Sequence, residues 1–247
     1  MGAKAKKIAL VLACYLLLLG WNAPAQLLRS FLPAEMRIGS FTGSIWQGSL
    51  RQFNWHQLTL AEVNWQFTFS SWRPALQLEL WDPQGIQGHG TLRGWSGLQL
   101  YEWQLSAPAD WLQQRLPLPL PITAQGKLQL RLQQGELGPH GCVNLTGGLI
   151  NWHNAQLATP LGGLDLANIQ GQLSCNRQGA LALVLKQNSA HLNLTGQGNL
   201  ALDGRYQFNG QLRGGPELPD VIKPLLSQLG KANDQGLIAW QVQGRAF

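Results

Sequence analysis

The sequence predicts an all-β protein, in which an N-terminal membrane anchor helix precedes a large antiparallel meander sheet with one or two short helices. Three observations support this prediction. Short segments alternate apolar and polar residues with a period of two, which is typical of half-buried antiparallel strands. Turns that contain glycine, such as QGHG, TGG and LDG, separate these segments. Three lysines precede an unbroken apolar run near the N-terminus. The repeated hairpins favour an open barrel or a sandwich.

The anchor is predicted within residues 1–28. Its lysines come before the apolar run Ile8–Leu19, an arrangement that keeps the N-terminus in the cytoplasm and sends the following chain across the membrane. Ala23-Pro24-Ala25 satisfies the small-x-small rule for cleavage after Ala25. An apolar stretch that extends to Leu28 would instead have about 20 residues, enough for a retained single-pass helix. Both outcomes stay open, and we favour the retained helix, in which Trp21 at the far end would suit the membrane interface.

The body is predicted to contain two regions that are continuous with each other. The prolines within residues 117–121 should interrupt the sheet, and they separate a Trp-rich β region, 29–116, from a second β region, 117–247. We expect a short helix at 110–115. A second helix is expected over 221–229, with Val221, Ile222, Leu225, Leu226 and Leu229 on one face and Gly230 as its stop, before a last strand at 237–244.

The charge pattern argues against a nucleic-acid partner. Only 12% of the residues are charged, and half of the formal net charge of +6 belongs to the three lysines before the apolar run. The remaining positive charge is too small and too scattered for a groove that follows a phosphate backbone. The low charge content suits a protein of the cell envelope or of an assembly.

Cysteine usage agrees with export. Cys14 lies inside the apolar run, which leaves Cys142 and Cys175 as a pair in a compartment that should be oxidising. We predict a disulfide between Cys142 and Cys175. The alternative is two separate buried thiols.

Seven tryptophans fall close to one per predicted strand. A tryptophan on one face of each strand would form an aromatic row, and a glycine on the neighbouring strand leaves room for the ring. We favour this packing role, and the alternative is an exposed aromatic strip that docks carbohydrate, lipid or another protein. The seven residues are Trp46, Trp55, Trp65, Trp72, Trp81, Trp95 and Trp103.

The sequence contains no motif that predicts a catalytic, cofactor or metal site. The five histidines lie outside HExxH spacing, GWSG lacks the spacing of a nucleophile elbow, and the glycine-rich stretches do not match GxGxxG. The acidic residues form no recognisable acid and base pair. We therefore expect a protein that is not an enzyme.

The order of features is more specific than any single one. A lysine-led N-terminus, GSIWQGSL at 43–50, Trp72-Arg73-Pro74, the proline break near 117, the late cysteine pair and PELPDVIKPLLSQLG before the last strand together resemble the type II secretion system protein N family. The resemblance covers nearly the whole chain. It implies an inner-membrane component with a periplasmic body, which assists the export of folded proteins across the outer membrane. Its partners would be other secretion components, a secretin or anchored inner-membrane subunits.

A second functional hypothesis comes from the Leu-rich alternation of apolar and polar residues along the strands. This pattern is similar to that of the amphipathic sheets of AsmA-like envelope proteins. Such proteins are thought to carry lipid along an apolar groove. That role would require one face of consecutive strands to stay apolar and uncovered. If the same residues are covered, they are ordinary core, which is the interpretation we favour.

Overall fold

The computed structural model describes residues 3–33, 35–55, 58–70, 72–94, 97–113, 123–159, 162–224, 226 and 230–245. The chain divides into two compact units, Met1–Asp82 and Pro83–Phe247, called here unit 1 and unit 2. The predicted boundary between 116 and 117 lies outside the described residues, and so does Trp95.

Unit 1 contains a helix, a 3₁₀ helix and four strands. The elements are α1 (Ala3–Trp21), the 3₁₀ helix Ala25–Phe31, β1 (Arg37–Gly43), β2 (Gln47–Trp55), β3 (Leu58–Ser70) and β4 (Arg73–Trp81). Consecutive strands pair antiparallel in the order β1-β2-β3-β4. The alternating segments therefore form the hairpins that their period of two predicts.

The helix α1 ends earlier than the predicted anchor. The Asn22 side chain donates to the carbonyl of Leu18 at 2.9 Å, and Pro24 has extended backbone angles, so the helix does not continue to Leu28. Residues 25–31 instead lie against the sheet. Ala25 is only 1% exposed and packs with Leu50 and Trp65. None of the helices in the described part of the chain combines the length and the apolar character needed to cross a membrane.

Unit 2 contains a short helix and ten strands. They are β5 (Gln87–Arg93), β6 (Leu98–Pro108), α2 (Ala109–Gln113), β7 (Thr123–Gly138), β8 (Gly141–Thr146), β9 (Gly148–Thr159), β10 (Gly162–Cys175), β11 (Leu181–Asn188), β12 (Leu192–Leu200), β13 (Arg205–Gly214) and β14 (Ile238–Arg245). The order is β5-β6-β7-β9-β10-β11-β12-β13-β14, all antiparallel. The long strand β7 pairs with β9 along 123–131 and with β8 along 134–138.

The predicted antiparallel meander is confirmed, and it is open. Among the described residues, no pairing joins the first and last strands of either unit. The helix expected at 110–115 is present as α2, although residues 114 and 115 lie outside the described part. Of the second expected helix, residues 225 and 227–229 also lie outside it. Ile222 is 1% exposed in the core of unit 2, whereas Val221 is 56% exposed, so these two residues do not share a packed face.

Candidate functional site

Two of the seven predicted tryptophans pack over a glycine of the neighbouring strand. A Cβ atom added to Gly48 on β2 would lie 2.5 Å from Cζ2 of Trp65 on β3. A Cβ atom added to Gly90 on β5 would lie 2.3 Å from Cδ2 of Trp103 on β6. In both places the ring occupies the volume of the missing side chain, as the tryptophan and glycine pattern predicts.

The same packing recurs in unit 2 at residues that sequence reasoning missed. Trp240 lies over Gly210, and Phe208 lies over Gly196, with ring atoms 2.7 and 2.5 Å from an added Cβ. The Phe208 and Trp240 rings stack with centroids 5.1 Å apart. Gly210 and Trp240 are direct cross-strand partners. Only the strand register shows this pairing, because the residues are far apart in sequence.

Substituting Gly90 by alanine should lower the free energy of unfolding by about 1–3 kcal/mol, because the new methyl group would force the Trp103 ring away from its site. Urea denaturation of the detergent-solubilised full chain measures the change. Gly163→Ala is the matched control, since a Cβ there meets nothing within 4 Å and the backbone angle is not positive. Equal midpoints for the two variants would contradict the ring-over-glycine packing.

The other described tryptophans of the set are more exposed. Trp46 and Trp72 lie in turns, and Trp55 and Trp81 lie at the ends of β2 and β4 that are remote from those turns. Trp72 has a fully exposed side chain at a positive φ of 63°, whereas Trp65 is 8% exposed. The tertiary structure therefore divides the six described residues of the set into packed and exposed groups.

Five exposed aromatic side chains of unit 1 lie at one end of its strands, whereas Trp55 and Trp81 lie at the other end. We call this surface the aromatic end, and it consists of Trp21, Trp46, Phe67, Phe69 and Trp72. The centroids of Trp21 and Trp46 are 6.3 Å apart, and those of Trp46 and Phe67 are 5.8 Å apart in an edge contact. The register pairs Phe69 with Pro74, beside the turn that carries Trp72.

The exposure of aromatic residues rises along β3 toward the aromatic end. Trp65, Phe67 and Phe69 are separated by two residues each, so they share one face of the strand. Their exposed fractions are 8%, 40% and 78%. Sequence reasoning did not single out Phe67 or Phe69. The alternating aromatics of NWQFTFS at 64–70 were a signal that could have indicated the two phenylalanines.

The aromatic end is joined directly to the C-terminal end of α1. The indole Nε1 of Trp46 donates to the carbonyl of Gly20 at 2.9 Å, and the backbone N–H of Ile45 donates to Ala23 at 3.0 Å. Pro24 and Ser44 form an isolated β-bridge. The last turn of α1 is thus held against the β1–β2 turn by backbone and side-chain contacts.

The predicted disulfide joins β8 to β10. Cys142 and Cys175 are bonded, with Cα atoms 5.4 Å apart. The backbone N–H of Cys142 also donates to Gly179 at 2.8 Å, in the turn that follows β10. The bond therefore holds the β7–β8 hairpin against the end of β10.

Ionisable groups with shifted pKa values lie in exposed turns. The backbone N–H of Arg205, followed by its guanidinium, holds the pKa of Asp203 below its ordinary value. The ammonium of Lys223 likewise lowers the pKa of Asp220. Both carboxylates stabilise local turns. Among the described residues, no group of three or more His, Cys, Asp or Glu residues could hold a metal ion.

A groove of about 600 Å³ lies along the last strands of unit 2. Its lining mixes apolar Leu185 and Trp240 with polar Thr195, Asn209 and Gln211. By register, Thr195, Asn209 and Gln211 share one face of these strands, whereas Leu185 and Trp240 lie on the other face.

The last strand of unit 2 is an open edge. β14 pairs with β13 from Ile238 to Arg245, and apart from an isolated bridge between Ile238 and Ala232, no strand pairs with its other side within the described residues. Residues 241–245 are exposed. An edge of this kind presents backbone donors and acceptors that a further strand can use.

Comparisons with known proteins agree on one family. The family model described as type II secretion system (T2SS), protein N, matches residues 34–241. A type II secretion system protein N from Pectobacterium carotovorum subsp. carotovorum is 46% identical over 96% of this chain and 95% of its own length. The protein of the same name from Klebsiella pneumoniae is 39% identical over 95% and 93%, and that from Aeromonas hydrophila is 33% identical over 96% and 96%. No solved structure matches significantly.

Proposed function

Because this chain belongs to the type II secretion system protein N family, we propose that it is an accessory component that assists the export of folded proteins by protein contacts rather than by bond chemistry. The general role in type II secretion follows from the family. The contact mechanism is our proposal. The observation that supports it best is the open edge of β14, where a strand of a secretin or of another anchored subunit would add to the sheet.

We also propose that the N-terminal segment is retained as a single-pass anchor in the inner membrane, with the N-terminus in the cytoplasm and both units in the periplasm. The lysines before the apolar run support this orientation. The uncharged part of α1, residues 8–21, is roughly 21 Å long at the α-helical rise. Local thinning of the bilayer and extension of lysine side chains toward the headgroups would compensate for this short length.

Retention of the segment also agrees with the packing of unit 1. Cleavage after Ala25 would remove the bridge between Pro24 and Ser44, and it would remove Ala25 from the cluster that contains Leu50 and Trp65. Residues 20–25 therefore contribute to the folded body as well as to the targeting segment.

A strain that lacks this protein should accumulate a folded type II passenger in the periplasm while its outer membrane stays intact. Complementation with the wild-type chain should restore the passenger to the medium. Normal secretion in the deletion strain would contradict the proposed role. Normal secretion together with detergent sensitivity would instead support the lipid-handling alternative.

Two proline variants test the edge contact in the same strain. Gln241 and Val242 are neighbours on β14, so one N–H points toward β13 and the other points toward the open side. Gln241→Pro and Val242→Pro should therefore differ in stability, since proline is tolerated only where its missing N–H faced outward. The more stable variant keeps the sheet but lacks an N–H on the open side of β14. We therefore expect it to lose secretion of the passenger. Full secretion by the stable variant would exclude the edge of β14 as the contact.

A further inference from the structure

We propose that the aromatic end of unit 1 lies in the interfacial layer of the same membrane that α1 enters, among phospholipid headgroups and the upper parts of the acyl chains. The inference rests on the proposed anchoring of α1. It adds that the tips of β3 and β4 contact the membrane. Unit 1 is then held directly at the bilayer surface and is not separated from it by a flexible linker.

The side chains of the aromatic end match the chemistry of that layer. Tryptophan is enriched at membrane interfaces because its ring is apolar and its N–H can still meet polar groups. Phe69 is 78% exposed, and the Trp72 side chain is fully exposed. Trp21 is 75% exposed at the end of α1. These rings form one exposed apolar surface at a single end of the unit, which in water would mark an interaction site.

The connection to α1 places this surface at the membrane. Trp21 is the last residue of α1, and the bridged residue Pro24 follows after only Asn22 and Ala23. Trp46 contacts both sides of this junction, because its N–H binds Gly20 and its ring lies against Phe67. If α1 ends at the interface, the β1–β2 turn and Phe67 beside it must lie close to the interface as well.

The charges agree with a lipid occupant. The stretches 19–25, 43–49, 66–70 and 72–75, which contain the five residues of the aromatic end, include no Asp or Glu. The acidic residues of unit 1, Glu35, Glu62, Glu79 and Asp82, all lie outside these stretches. Arg73 follows Trp72 directly and is exposed, so its guanidinium is placed to bind a lipid phosphate. A carboxylate in the same position would be repelled by the anionic headgroups.

The test measures the depth of single labels on the full-length protein in phospholipid vesicles. Cys14→Ser removes the free thiol outside the disulfide, and Phe69→Cys, Trp72→Cys or Trp81→Cys then introduces one site for an environment-sensitive fluorophore. Trp81 is the matched control, because it is a partly exposed tryptophan at the other end of β4, about 30 Å from Trp72 at the rise of a β-strand. The vesicles contain phosphatidylethanolamine and phosphatidylglycerol, with nitroxide lipids as quenchers.

We expect strong quenching of the labels at 69 and 72 by a nitroxide near the headgroup, together with blue-shifted emission, and neither effect at 81. If all three labels behave as in water while the protein floats with the vesicles, the inference is wrong and the anchoring stands. Equal quenching at all three positions would also contradict it, because the sheet would then lie flat on the membrane. Failure of the protein to float would overturn the anchoring and the inference together. Circular dichroism of each variant checks that it has folded.

Discussion

Substituting Trp65 by alanine should lower the free energy of unfolding by about 3–5 kcal/mol, the usual cost of emptying a large aromatic site in a core. The ring is 8% exposed, fills the space above Gly48 and packs edge-on against Phe41 with centroids 6.4 Å apart. Its Nε1 also donates to the carbonyl of Ile45 at 3.1 Å, a hydrogen bond that alanine cannot replace. Urea denaturation followed by circular dichroism measures the loss.

Trp72→Ala is the matched control, because it makes the same chemical change at a fully exposed position seven residues away along the chain. In detergent solution this variant should stay within about 0.5 kcal/mol of the wild type, as surface substitutions usually do. Hydrogen exchange of the β2 and β3 amides would locate the loss in unit 1. A similar stability for the two variants would mean that Trp65 is not the main packing residue of that sheet.

Removing the disulfide with Cys142→Ser and Cys175→Ser should cost about 3–4 kcal/mol, according to the loop-entropy model for a bond that closes a loop of this length. The bond joins residues 33 positions apart, and it holds β8 on the end of β10. Without it, β8 keeps its short pairing with β7 and the backbone hydrogen bond from residue 142 to Gly179. The change is measured as the shift in the denaturation midpoint under non-reducing conditions.

Reduction of the wild-type protein provides the internal control for the cysteine variant. A thiol reductant should lower the midpoint of the wild type to that of the double variant, and it should leave the double variant unchanged. Cys14→Ser should keep the wild-type midpoint and its sensitivity to the reductant. A double variant as stable as the oxidised wild type would show that the hairpin is held by its strand pairing alone.

Much of the fold could be predicted because strand patterns are local. Segments such as Leu76–Leu80, Lys127–Leu132 and Tyr206–Leu212 alternate with a period of two, and each lies inside a strand of the meander. The cysteine pairing was predictable for a different reason. An exported body with two cysteines has only one internal pair to form.

The candidate surfaces could be predicted only in part. The tryptophan and glycine pattern predicted rings packed over glycine, and in the structure the Trp65 ring lies over Gly48. It did not predict which glycine lies below which ring, because that depends on register between strands. Trp46 was selected as one of a row, whereas it lies in a turn and binds the last residues of α1 through Gly20.

The sequence by itself determined the alternating strands, the cysteine pair, the lysine-led apolar segment and the family. Only the tertiary structure decided that Ala25 belongs to a core, that α1 stops at Trp21, and that Phe69 is exposed where Trp65 is buried. The physical reason is that period and composition are properties of neighbouring residues, whereas exposure depends on which other segments cover a face. Trp65 and Phe69 share one face of β3, but the 3₁₀ helix covers that face near Trp65, and β2 pairs with β3 only as far as Gln66.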